Sequence, residues 1–75
     1  MKSIVEQEKE IALKISSKLE YHITKNNVKA SELARFVGVS SANFSRMRVR
    51  LREGKFPTTP FLVGISKFFN ENFLI

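Results

Sequence analysis

The stretch from Ala30 to Val49, ASELARFVGVSSANFSRMRV, constrains the fold of this chain more than any other. With Gly38 taken as a turn, Ala34 lies four residues before it. Leu33, Val37, Val39, Phe44 and Met47 then fall where two short helices must touch. A crowded crossing needs a small side chain at position 34, and it is alanine. A sharp turn needs a residue that tolerates positive φ, and it is glycine. Ser40 stands where the N-cap of the second helix belongs, because its hydroxyl can accept from an amide that the first turn leaves unpaired. The spacing is that of a helix-turn-helix over about 30–53.

The flanking segments predict helices as well. Ser3 to about Lys25 reads as one long helix. Ile11, Ile15, Leu19 and Ile23 recur every four residues, with Ala12, Ser16 and His22 on the same face. Glu6, Lys9, Glu10, Lys14 and Lys18 face away. Asn26 and Asn27 end it, since asparagine tolerates the left-handed conformation of a C-cap. The N-cap of the second helix is not evident, because Lys29 is a poor cap. Phe44, Met47 and Leu51 carry the third helix to about Glu53, with Gly54 as its stop. Arg46 to Arg52 also alternates with period two, as a strand would, but Phe44 belongs only to the helical stripe. Thr59-Pro60 reads as N-cap and N1 of a closing helix over about 60–70, whose apolar face is Phe61, Leu62, Ile65, Phe68 and Phe69. The expectation is all-α: a single domain over 1–75, a compact bundle of about five helices.

Composition narrows the function. The 75 residues suit one small domain with a thin core. There is no cysteine and one histidine, His22, so neither a disulfide framework nor a usual zinc site is available. His22 is expected to be a half-buried packing residue. No apolar run approaches the roughly 18 residues of a membrane span, and the charged start lacks the apolar core of a signal peptide. A cytoplasmic protein with no membrane partner, no cofactor and no metal is expected. No carboxylate pair, nucleophile or phosphate-binding glycine loop suggests an enzyme, so no catalytic residue is assigned. The net charge is +6, and residues 46–55 hold four arginines and a lysine against one glutamate. Such a basic stripe is the footprint of a polyanion binder.

In its parts the chain resembles the lambda-repressor-like helix-turn-helix family of phage repressors and their bacterial relatives. These parts are SELARFVGVSSANFSRM, then GKFP, then TPFLVGISKFF, and together they span about Ile15 to Leu74. A small phage transcription activator offers a second, weaker likeness. The family resemblance implies a helix-turn-helix, a Gly-Lys-x-Pro loop and a helix that closes the core. Two departures stand out. Val49 to Glu53 intervene before Gly54, an insertion of about one turn that either lengthens the second helix of the motif or builds a basic loop. The first helix is also longer than is usual in the family.

The motif places its second helix in the DNA major groove, with its N-terminal part at base edges. Ser41, Ala42, Asn43, Ser45 and Arg46 are the candidate base contacts; the resemblance implies Ser41, Ala42 and Arg46 in particular. An arginine can hold guanine O6 and N7 with both arms of its guanidinium. Lys29, Ser40, Arg48, Arg50, Arg52 and Lys55 are the candidate backbone contacts, with Ser40 chiefly a cap. One such domain makes few base contacts, so a homodimer or higher homo-oligomer on a palindromic operator is expected. Its interface is assigned to Phe69, Phe73, Leu74 and Ile75, unless that tail folds back over its own core; the Ile4-Val5 end of the first helix is a second candidate. The function expected is a double-stranded-DNA-binding transcription regulator of phage or mobile-element type, with RNA polymerase as a further partner if it activates. The alternative is a helical adaptor or anti-regulator that binds protein through Phe36, Phe56 and the Phe73–Ile75 tail. Phe36 is expected to pack on the first helix or to face a partner.

Overall fold

The computed structural model describes residues 3–73. The first helix, α1 (Ile4–Lys25), starts at Ser3, whose hydroxyl accepts from the Glu6 amide at 3.2 Å. Glu6 in its first turn and Lys25 in its last both oppose the helix dipole. The buried side chains are Ala12, Ile15, Ser16 and Leu19, with Ile23 partly covered. This stripe is rotated from the expected one. Ile11 sits at its exposed edge, and the small Ala12 lies fully buried in its middle. At the end of α1 the Asn26 side chain donates to the His22 carbonyl at 2.9 Å, and Asn27 takes a φ of 52°. The Val28 amide then donates back to Ile23, turning the chain.

The second helix, α2 (Ala30–Val37), has Lys29 as its N-cap, and no side chain bonds to its first turn. It stops at Gly38, whose φ of 92° would strain any side-chain-bearing residue. The amides of Gly38 and Val39 both donate to Ala34. The third helix, α3 (Ser41–Arg52), is capped by Ser40, whose hydroxyl accepts from the Asn43 amide at 3.1 Å. The helix runs unbroken through the alternating arginines to Arg52 and turns at Glu53-Gly54, so Val49 to Arg52 continue it and form neither strand nor loop. The fourth helix, α4 (Thr59–Phe69), begins one residue earlier than expected. Thr58 is the N-cap and its side chain makes no capping bond, while Pro60 lies within the first turn, where its missing N–H removes no helical bond.

The described residues hold four α-helices and no strand, not about five helices. α1 packs along α3, and α2 packs against both α3 and α4. Ile15, Leu19, Leu33, Ala34, Phe44, Leu51, Phe61 and Ile65 form one core between them. The rings of Phe44 and Phe61 lie 5.4 Å apart and tilted at its centre. α2 and α4 meet closely at Gly64, where a Cβ would stand 2.8 Å from Val37 Cγ2 and 3.2 Å from Val37 Cα. The site needs a residue without a side chain because the obstacle includes backbone.

After α4 the chain reverses: Asn70, at φ 53°, ends the helix and sends the chain back toward α1. Phe73 drops into the core and is 2 % exposed. His22 of α1 stacks on Phe69 at 5.2 Å and meets Phe73 edge-on at 5.7 Å. Outside this aromatic layer the Glu71 carboxylate lies 3.6 Å from Lys18 Nζ and 3.9 Å from His22 Nε2, and Lys18 Nζ donates to the Asn72 carbonyl at 3.0 Å. Tyr21 lies on the outer side of the layer, edge-on to His22 at 5.5 Å, with Lys25 Nζ 5.4 Å above its ring. Phe73, assigned to an interface between chains, is instead buried in the chain's own core, while Phe69 packs half-buried against that core. Leu74 and Ile75 lie outside the described residues.

Candidate nucleic-acid interface

α3 advances about 100° per residue, and its inward side is set by Phe44 and Leu51, both buried. Met47 and Arg48 flank that side and are half-buried. The opposite side then carries Ala42, Ser45, Arg46, Val49 and Arg50, with Ser41, Asn43 and Arg52 along its edges. All eight are exposed. Arg46 and Arg50 stand one turn apart and, with Asn43 and Met47, line a shallow groove along the helix.

The arginines of α3 do not share one environment. Arg46, Arg50 and Arg52 make no ion pair with a carboxylate among the described residues. Arg48 does. Its Nε donates to Glu20 Oε2 at 3.0 Å and its Nη2 to Glu20 Oε1 at 2.5 Å, a two-armed pair that ties α3 to α1. Its side chain is only 22 % exposed. Arg48 thus leaves the set of outward cations in which the sequence placed it, because a carboxylate 28 positions earlier in the chain claims both arms of its guanidinium.

The remaining expected contacts are dispersed. Ser40 Oγ is engaged by the Asn43 amide as a cap. Lys29 is exposed at the start of α2. Lys55 is exposed just beyond α3, with its Nζ 4.0 Å from Glu53 Oε1, a surface pair of little strength. Two residues were missed. Val49 is 48 % exposed on the outer face beside Arg46, and it drew no assignment because it falls outside the Phe44, Met47, Leu51 stripe. Glu20 carried no assignment from the sequence, because no local pattern links it to Arg48.

The ring of Phe36 meets Phe68 of α4 edge-on at 5.2 Å and stays exposed. Among the described residues no three His, Cys, Asp or Glu side chains are grouped to hold a metal, and no helix is long and apolar enough to cross a membrane. No model of a protein family, no curated protein and no solved structure matches the chain.

Proposed function

We propose that α2, the Gly38 turn and α3 act as a helix-turn-helix, and that the protein is a sequence-specific double-stranded-DNA-binding transcription regulator of phage or mobile-element type. The observation that carries this reading is the outer face of α3. It joins three arginines unpaired with carboxylates to short, polar or small residues at the helix start, which lets that end approach a base edge closely. The αL turn at Gly38 and the Ser40 cap supply the rigid mounting such a helix requires.

In this scheme Arg46 reads a guanine with both arms of its guanidinium. Ser41, Asn43 and Ser45 hydrogen-bond to neighbouring bases. Ala42 and Val49 offer methyl groups to thymine. Arg50, Arg52, Lys29 and Lys55 meet phosphates, which carry most of the affinity and none of the sequence preference. Two copies would bind half-sites about 34 Å apart, one turn of the duplex.

The test is selection of binding sites from random duplex DNA at about 150 mM salt, with Arg46→Ala in parallel. The expected result is a palindrome for the wild type and loss of preference at one position per half-site for the variant. Affinity for the selected site should fall about 10- to 100-fold, the worth of one two-armed base contact. Failure to enrich any sequence, with equal weak binding by both proteins, would sink the reading. The exposed ring of Phe36 beside Phe68 favours the adaptor as a second reading. A protein partner captured through that surface would be lost with Phe36→Ala and kept with Arg46→Ala.

A further inference from the structure

We infer that Glu20 is a positioning residue for the candidate interface: by holding both arms of Arg48 it fixes the roll of α3 and withholds one arginine from the phosphates. The inference rests on the DNA-binding reading above and says how that site is tuned.

The geometry supports both halves of the assignment. The pair spans two packed helices and is part-buried, so it is little diluted by water compared with the exposed Lys55–Glu53 contact. Two parallel bonds to a planar guanidinium define an orientation that a single lysine contact would not. On α3, Arg48 sits two residues from both Arg46 and Arg50, about 200° round the helix from each. Holding Arg48 against α1 therefore keeps Arg46 and Arg50 on the side away from the core. Phe44, Met47 and Leu51, with the partly covered Val39 before the helix, pack the inward side by shape, and the two-armed pair adds a directional hold to theirs.

The electrostatic half follows from counting. Each phosphate neutralised steepens the fall of log K with log salt by about 0.9. An arginine already neutralised by Glu20 adds nothing to that slope. Removing the carboxylate charge while keeping its shape frees the Arg48 guanidinium, whose long side chain starts beside the core and swings outward to reach a phosphate. The protein gains a sequence-independent contact, and the margin between selected and unselected DNA narrows.

The experiment measures binding to a 30-base-pair duplex of unselected sequence, and to the selected palindrome, between 50 and 200 mM salt. Wild type, Glu20→Gln, Arg48→Met and the double variant are compared, with helicity by circular dichroism confirming each fold. Glu20→Gln should steepen the slope on unselected DNA by about 0.9, an extra loss of roughly 3.5-fold over that salt range. Arg48→Met and the double variant should keep the wild-type slope. A merely structural pair would weaken binding in Glu20→Gln without moving the slope, and that result overturns the assignment. So does a shallower slope in Arg48→Met, which would mean that Arg48 already meets phosphate in the wild type. If the wild type itself shows no salt-dependent binding to either duplex, the DNA-binding reading falls and takes this assignment with it.

Discussion

The two ends of the described chain are both rich in apolar residues, yet they meet opposite fates. At the start, Ile4 and Val5 are 75 % and 74 % exposed, on a helix that runs straight past the body of the fold. At the other end, Phe73 is buried beneath His22 and Phe69. Hydrophobicity does not separate them. A backbone reversal does: Asn70 adopts a left-handed conformation, so the tail folds back onto α1, whereas nothing bends the first turns of α1 toward a partner surface. An apolar end becomes core only where the chain can return to it.

Substitutions can break this contrast. The largest effect is expected at Phe73. Phe73→Ala should remove about 3–5 kcal/mol, most of what a domain of this size possesses, and chemical denaturation would read it. A loss below about 1 kcal/mol would mean that the tail is not part of the folded core. Next comes the reversal itself. Asn70→Ala places a residue with a Cβ and no compensating polar group at φ 53° and should cost about 1 kcal/mol, while Asn70→Gly should be tolerated; equal costs for both would argue against the left-handed turn.

Glu71→Gln breaks the contacts to Lys18 and His22 in a partly exposed setting, so the expected loss is under about 1 kcal/mol and shrinks further in high salt. The smallest effect belongs to the other end. Ile4→Ser with Val5→Ser should shift stability by less than about 0.5 kcal/mol. A loss comparable to that of Phe73→Ala would erase the contrast and show that the first turns of α1 are covered in solution.

The end of α2 and the start of α3 were legible because local chemistry sets them. Gly38 supplies a conformation, Ser40 supplies a hydrogen-bond acceptor, and both act within three residues. The start of α4 was displaced by one residue because Thr58 and Thr59 offer the same hydroxyl, and neither side chain makes the bond that would choose between them. The fate of Phe69 and Phe73 was not legible. It depends on an aromatic layer built from α1 and the tail, well over half a chain apart, and a hydrophobic C-terminal segment looks the same whether it meets its own core or another chain. The candidate interface divides along the same line. Which residues face outward on α3 follows from helical periodicity once Phe44 is placed. That Arg48 differs from Arg50 does not, because the difference lies in Glu20 and not in α3.

The aromatic layer has a practical consequence. The chain has one tyrosine and no tryptophan, so any intrinsic fluorescence comes from Tyr21. Its ring touches His22, which stacks directly on Phe69 and contacts Phe73. The protein therefore carries its own optical reporter at the joint between α1 and the returning tail. Opening of that joint by Phe73→Ala is expected to change Tyr21 emission, a readout that needs no dye and no added cysteine.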